Sequence, residues 1–305
     1  MRLRLAPLNP TIGDLEQNAG AIRRAIHDAR ADGVDLLLLP ELALTGYPPR
    51  DLLLRPAFIE ACGEVMENLA REAEGIVALV GGPGWDDQAA LTGMPRNSLF
   101  VLREGRIADR YDKRLLPEYD VFDERRYFEP GDAPLVIDVN GRRVGLSICE
   151  DLWRGEEVGL GRRYAHESDP MTELVDAGAE IVVNPSASPY AVGKLERQRR
   201  VLRAQVRRHG IAIAAVNQLG GNDELIFDGD AVVLVPDASG QAREIARNSG
   251  FSDEPFTLDT PEVAPPPADA DPTRGGDAQR MERVWRALVL GVRDYCRKTG
   301  LSSAV

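Results

Sequence analysis

The stretch Leu135-Val-Ile-Asp-Val-Asn-Gly-Arg-Arg-Val-Gly-Leu-Ser-Ile148 sets two apolar runs either side of Asn140-Gly141, the dipeptide most favourable to a two-residue hairpin turn. Its second run leads into Cys149-Glu-Asp. A helical pattern then follows over Met171 to Ala177, and another buried run over Ile181 to Val183. An antiparallel hairpin that feeds a strand–helix–strand unit does not belong to an all-parallel sheet. The same mixture recurs upstream. Leu3 and Leu5 mark a strand over Arg2 to Leu8, Asp14 to Gln17 cap a helix, and Leu15, Ala19, Ile22, Ile26 and Ala29 give it a buried face that Gly33 ends. Val34 to Leu39 is a buried strand closed by Pro40-Glu41. Pro56 opens a helix with the stripe Phe58, Cys62, Val65, Met66 and Leu69, and Ile76 to Val80 is the next strand. Asn97 to Leu102 and Arg106 to Arg110 flank Glu104-Gly105 as a hairpin. Downstream come a helix over Val192 to His209, a strand over Ile211 to Val216, and a hairpin of Asp230 to Val235 with Ala242 to Ile245. The pattern predicts two mixed sheets with helices on their outer faces, rather than one doubly wound parallel sheet.

The 305 residues, 43% hydrophobic and 28% charged, describe a globular chain with a sizeable core. The apolar runs are too short for a bilayer span. Arg2, Arg4, Pro7 and Pro10 occupy the place of a secretory apolar region, so a cytoplasmic location is expected. A net charge of -12 argues against general nucleic-acid binding. Cys62, Cys149 and Cys296 are too far apart for a zinc or disulfide pattern, and no metal is implied. All but three of the 37 basic residues are arginine, so Lys113, Lys194 and Lys298 each call for a reason.

Cys149 follows a buried strand directly, the position from which a nucleophile leaves a sheet to meet substrate. An inert buried thiol is the other reading of the residue taken alone. Cys62 and Cys296 sit on apolar helical faces. Neither His27, His166 nor His209 is placed as a base for a thiol, but Glu41 and Lys113 also follow predicted strands. Gly193-Lys194 and Gly81-Gly-Pro-Gly84 lack the phosphate-loop pattern, and the basic helix Lys194 to His209 reads as a solvated or interface helix.

Three segments carry a likeness: Pro40-Glu-Leu-Ala-Leu-Thr-Gly-Tyr-Pro-Pro49; Tyr111-Asp-Lys-Arg-Leu-Leu-Pro-Glu-Tyr119 with Phe122-Asp-Glu-Arg-Arg-Tyr-Phe128; and Ser147-Ile-Cys-Glu-Asp-Leu-Trp153. They resemble the nitrilase (C–N hydrolase) superfamily, and most closely the glutaminase domains of glutamine-dependent NAD synthetases. The likeness covers residues 1 to about 260 and extends to Asn184-Pro-Ser-Ala-Ser-Pro-Tyr190 and Val216-Asn-Gln-Leu-Gly-Gly-Asn-Asp-Glu-Leu-Ile-Phe-Asp228.

The resemblance implies an α/β fold, a four-layer α/β/β/α sandwich, that hydrolyses the side-chain amide of glutamine through a cysteine thioester. It implies a Glu-Lys-Cys triad of Glu41, Lys113 and Cys149, with Glu124 as an additional carboxylate steadying the lysine. Glu41 would move the protons, and Lys113 with the backbone N–H of Glu150 would hold the oxyanion. Tyr47, Tyr119, Ser188 and Lys194 match positions that line the glutamine pocket. Glu118 and the long polar stretch Gly155 to Asp169 depart from the pattern and bear on the pocket rim.

Pro, Ala, Asp and Gly dominate residues 261–276, which read as a Pro-rich linker. Beyond it, Asp277 to Thr299 is an amphipathic helix with Met281, Trp285, Leu288, Val292 and Tyr295 on one face, which the linker is expected to hold away from the first domain's core. By resemblance, residues 277–305 begin a truncated NAD synthetase domain of ATP-pyrophosphatase type. There ATP, Mg and deamido-NAD would bind, whereas the amidase step needs no cofactor. A synthetase domain and further copies of the chain, as a homo-oligomer, are the expected partners. Two rival expectations stand beside this one: a free-standing amidase for another small amide, and a catalytically silent interaction module.

Overall fold

A computed structural model of the chain describes residues 1–154, 163, 164, 166–260 and 277–302. In chain order the regular elements are β1 (Arg2–Leu5), α1 (Leu15–Ala31), β2 (Leu36–Leu38), α2 (Pro56–Glu72), β3 (Val77–Gly84), α3 (Asp87–Thr92), β4 (Arg96–Arg103) and β5 (Arg106–Asp112). Then follow β6 (Leu135–Val139), β7 (Arg142–Leu146), α4 (Pro170–Asp176), β8 (Ile181–Ser186), α5 (Lys194–His209) and β9 (Ala212–Asn217). The last are β10 (Leu219–Asn222), β11 (Leu225–Asp228), β12 (Ala231–Pro236), β13 (Ala242–Arg247), β14 (Phe256–Asp259) and α6 (Asp277–Thr299).

Two six-stranded mixed sheets form, in the orders β14-β1-β2-β3-β4-β5 and β13-β12-β9-β8-β7-β6, with β10-β11 as a separate hairpin. The first sheet pairs β1, β2 and β3 in parallel; the second does the same with β7, β8 and β9. One continuous apolar cluster fills the space between them, with Leu3, Leu36, Leu38 and Leu79 from one sheet and Val144, Leu146, Val183 and Val216 from the other. The helical stripes cover the outer faces. Ile22 and Ile26 of α1 and Met66 and Leu69 of α2 pack on the first sheet; Met171 and Leu174 of α4 and Val201 and Val206 of α5 pack on the second. The result is the four-layer α/β/β/α sandwich.

Asp14 caps α1 by accepting from the Gln17 N–H, as the sequence predicts. The basic helix α5, expected as a solvated or interface helix, also carries a cation into the core. Arg199 is fully buried, 2.8 Å from Asp230 and 3.3 Å from Glu244, and ties the helix to β12 and β13. Three strands went unread. β14 returns from far along the chain to pair with β1, and β10-β11 turns at Asp223-Glu224.

The C-terminal helix corrects the largest expectation. α6 is not held away from the first domain: it packs on β10 and β11. It does so through Ala287, Leu290 and Asp294, which are buried, while the predicted stripe of Met281, Trp285, Leu288, Val292 and Tyr295 is exposed. Hydrophobic periodicity marks the greasier face of a helix. Here the smaller face docks because Gly291 lies against Gly221, where an added Cβ would stand 3.2 Å from the Gly291 Cα. The predicted linker lies outside the described residues.

Candidate active site

Strand ends from both sheets converge at one edge of the sandwich. β2 runs out at Pro40-Glu41, and β3 is packed so closely alongside that a Cβ on Gly81 would come within 2.4 Å of the Leu42 N. Glycine is therefore required there, and the Gly81 carbonyl accepts from Leu44 N–H at 3.0 Å, fixing the turn that presents Glu41. β5 ends at Asp112, and Lys113 follows with its N–H on the Asn97 carbonyl at 2.8 Å. β7 ends at Leu146. After Ile148 in extended conformation, Cys149 turns into the left-handed region at φ 44° and starts a 3-10 turn over Cys149–Leu152. A non-glycine residue with positive φ is an uncommon, strained choice, of the kind found where a side chain must be aimed.

Glu41, Lys113 and Glu124 form one buried ionic cluster. The Lys113 Nζ donates to Glu41 Oε1 at 2.7 Å and to Glu124 Oε1 at 2.8 Å, with all three side chains almost wholly out of water. Asn97 donates to Glu41 Oε1 at 2.8 Å, the Ala187 N–H to Glu41 Oε2 at 2.7 Å, and the Tyr47 hydroxyl to Glu124 Oε1 at 2.9 Å. Glu41 Oε1 thus accepts twice and Oε2 once, leaving Oε2 an acceptor position for a further proton donor. Burial alone would lower Lys113, but Glu124, Glu41 and Cys149 outweigh it and hold the ammonium well above its ordinary range. Burial, offset in part by Lys113 and reinforced by Glu41, lifts Glu124 to about 7. Burial and then the Glu41 charge push the Cys149 thiol well above its usual range, with Lys113 opposing. A sulfur kept as a thiol attacks only with the help of a base.

A second group lies near Cys149, close enough for the Glu150 charge to act on its thiol. The Glu150 carboxylate is buried and accepts from the hydroxyls of Tyr119 at 2.9 Å and Tyr164 at 2.8 Å. Arg163 lies 3.4 Å over the Tyr119 ring and 3.8 Å from Glu150. Tyr164 and Arg163 belong to the polar stretch Gly155 to Asp169 that was expected to bear on the pocket rim; its residues 155–162 and 165 lie outside the described residues. Lys194 sits at the start of α5 with its ammonium 5.6 Å from the Phe122 ring centre, and burial lowers its pKa while Cys149, Asp228 and Glu150 raise it. Ser188 is buried, its N–H and carbonyl both held by the Asn217 side chain. Tyr47 is joined to Glu124 rather than to the Tyr119–Glu150 wall.

The sequence reading missed the side chains that position this set. Asp151 accepts from the N–H groups of Ile148, Arg114 and Leu115 and from the Tyr111 hydroxyl, so one carboxylate ties the cysteine turn to the segment after Lys113. Asn97 braces Glu41, and Asn184 donates to Ser147 Oγ behind the turn. Their signal was present: Arg96-Asn-Ser98 and Glu150-Asp151 are polar residues at the ends of otherwise apolar strand patterns.

A family model described as carbon-nitrogen hydrolase matches residues 2–248. The chain is 38% identical over 304 residues to a glutamine-dependent NAD(+) synthetase of Synechocystis sp., covering 99% of this chain and 53% of that protein. It is 40% identical over 305 residues to the protein of the same name from Xylella fastidiosa, covering 99% and 52%. The chain thus spans about half the length of the curated relatives it matches. Among solved structures, glutamine-dependent NAD+ synthetase from Acinetobacter baumannii in complex with ADP superposes with a TM-score of 0.79 at 27% identity, covering 97% of this chain and 52% of that one. A nitrilase-superfamily amidase from Nesterenkonia gives 0.70 at 24% identity over 93% and 97%, a likeness of fold.

Proposed function

The chain belongs to the carbon-nitrogen hydrolase family, and from that premise we propose that it hydrolyses the side-chain amide of glutamine to glutamate and ammonia through a thioester on Cys149. The observation that carries the reading is the buried Glu41–Lys113–Glu124 cluster set against the strained Cys149 turn.

In the proposed cycle Cys149 Sγ attacks the amide carbon while Glu41 Oε2 takes the thiol proton. The new oxyanion is held by Lys113, two of whose donors already anchor it to Glu41 and Glu124, and by the backbone N–H of Glu150. Collapse breaks the C–N bond, and the proton on Glu41 passes to the departing nitrogen. Water then gives a proton to Glu41 and adds to the thioester. A second tetrahedral intermediate expels Cys149, which regains its proton from Glu41. Glu124 and Tyr47 keep Lys113 charged and aimed.

An amino-acid amide has a further demand, because its α-ammonium and α-carboxylate must both be met when water is excluded. The buried Glu150 carboxylate between Tyr119 and Tyr164 suits the ammonium, and Lys194, with no carboxylate paired to it among the described residues, suits the carboxylate. These opposite charges favour glutamine over a simple aliphatic amide. The ammonia would serve ATP-dependent amidation of deamido-NAD, with ATP and Mg bound by a separate synthetase unit.

Ammonia release from glutamine, asparagine, acetamide and propionamide tests the reading. Glutamine is expected to exceed the simple amides by well over tenfold in kcat/KM. A preference for an uncharged amide would return the chain to the free-standing amidase alternative, and inactivity on all of them would favour a silent module.

A further inference from the structure

Lys113 and Lys194 have places in the proposed site; Lys298, the remaining lysine of an arginine-rich chain, does not. It stands in the last turn of α6, and its Nζ donates to the Pro10 carbonyl at 2.8 Å and to Asn222 Oδ1 at 2.8 Å. Asn222 closes β10, and its Nδ2 donates to the Tyr47 carbonyl at 3.0 Å. One helical turn before Lys298, the fully buried Asp294 accepts from Asn9 Nδ2 at 2.7 Å and from the Gly221 N–H at 2.9 Å. These two side chains therefore grip the same two segments, Leu8–Pro10 and β10. The segments are also joined directly, Leu219 N–H to the Leu8 carbonyl at 2.9 Å.

The gripped segments, together with Ile12 and Gly13 that follow the first of them, enclose the loop that carries Tyr47. Its N–H donates to Gln218 Oε1 at 3.2 Å, just before β10. On the other side the Gly13 N–H donates to the Thr45 carbonyl at 2.9 Å, and a Cβ on Gly46 would touch Ile12 at 3.0 Å. From Tyr47 the hydroxyl reaches Glu124, which holds Lys113, which holds Glu41.

We propose that Asp294 and Lys298 are positioning residues of the hydrolase site, clamping β10 and Leu8–Pro10 around the Tyr47 loop and so fixing the Tyr47 hydroxyl, Glu124 and Lys113. The proposal rests on the reading of Cys149, Glu41 and Lys113 as the hydrolytic centre. It makes α6 a working part of the hydrolase unit rather than a helix that merely follows it. Burial lowers Lys298 to about 8, opposed by Asp294, which is the cost of bringing an ammonium into this contact. The clamp bears on the Tyr47–Glu124–Lys113 side of the site and not on the Glu150–Lys194 wall, so it acts on the chemical step more than on substrate affinity.

The test is steady-state ammonia release from glutamine by the full chain carrying Lys298→Met, Asp294→Asn, Lys298→Arg or Trp285→Ala. Lys298→Met and Asp294→Asn are expected to lower kcat about tenfold with KM changed by less than about twofold, because small misplacements far from the chemistry cost up to ~100-fold. Lys298→Arg, which keeps the donors, recovers most of the rate. Trp285→Ala, on the exposed opposite face of α6, matches wild type. A kcat for Lys298→Met within about twofold of wild type, or an equal loss in Trp285→Ala, would overturn the proposal. Amide hydrogen exchange is measured in parallel, since the clamp predicts faster exchange over residues 42–49 and 219–228 in Lys298→Met. If wild type released no ammonia, the hydrolase reading would fail. Unchanged exchange would then reject the clamp, and faster exchange would retain it.

Discussion

The two sheets of the sandwich are built to one plan and supply different chemistry. From its outer edge each runs through an antiparallel, two parallel and two antiparallel pairings, so β14, β1, β2, β3, β4 and β5 correspond to β6, β7, β8, β9, β12 and β13. Helices follow matching strands, α1 and α4 after β1 and β7, α2 and α5 after β2 and β8. Yet the first half places the Glu41–Lys113 ion pair at the shared edge, after β2 and β5, whereas the second places the thiol and the Glu150 carboxylate after β7 and the Ala187 N–H after β8. The scaffold is repeated and the chemistry is divided. A base and a nucleophile carried on different sheets are brought together by the core packed between those sheets and by the hydrogen bonds that cross from one to the other.

The division is broken most sharply by removing one contribution at a time. Cys149→Ala should abolish ammonia release and leave the fold intact. Glu41→Gln and Lys113→Ala should each lower kcat by at least about two orders of magnitude, as befits a base and an oxyanion donor. Circular dichroism and steady-state kinetics together decide this; ammonia release by Cys149→Ala at the wild-type rate would end the account.

Next in size is the cross-sheet tie. Asp151, from the second half, accepts from Arg114, Leu115 and Tyr111 of the first. Asp151→Ala strands those buried donors at ~1–3 kcal/mol each, so a loss above about 3 kcal/mol is expected in denaturant unfolding, with a large fall in kcat. A smaller but more discriminating contrast compares two fully buried residues, Leu146 between the sheets and Ile22 under an outer helix. Each truncation to Ala should cost about 2–5 kcal/mol. Only Leu146→Ala, three residues before Cys149, should also lower kcat several-fold, and equal kinetic effects would deny that the inter-sheet core sets the site.

The smallest expected effect is a pH slope. Because the folded state raises Glu124 to about 7 from 4.5, it holds more protons than the unfolded chain between those values. That contribution to stability is therefore greatest at low pH and lost as pH rises through the window. From about pH 5 to about pH 7 the melting temperature of Glu124→Gln should fall less than that of wild type.

What the sequence made legible was local. Apolar runs ending in Glu41 and Cys149, the Asp14 cap and the Asn140-Gly141 hairpin are written in neighbouring residues, and the layers follow from them. The pairing of β14 with β1 depends on chain more than two hundred residues away, which no local pattern encodes. α6 misled for a physical reason: its largest apolar side chains lie on the exposed face, while Ala287, Gly291 and Gly221 permit a close backbone approach that periodicity does not register. In the site, the predicted strand ends offered Glu41, Lys113 and Cys149, and likeness to the family supplied their roles and Glu124. The second layer of Asn97, Asp151, Tyr164 and Asn222 is set by hydrogen bonds across the fold, most of them between distant residues.

Cys62 and Cys149 offer the most direct test, since both thiols are buried and only one faces a carboxylate and an ammonium. Burial alone pushes Cys62 up to about 12 among aliphatic neighbours. Cys149 shares its site with Glu41 and Lys113. Incubation of the full chain with a glutamine-analogue electrophile, followed by intact-mass and peptide mapping, should yield one adduct, on Cys149. Excess glutamine should slow its formation, and Glu41→Gln or Lys113→Ala should largely prevent it. An adduct on Cys62 or Cys296 instead, or labelling of Cys149 indifferent to glutamine and to both variants, would contradict the account.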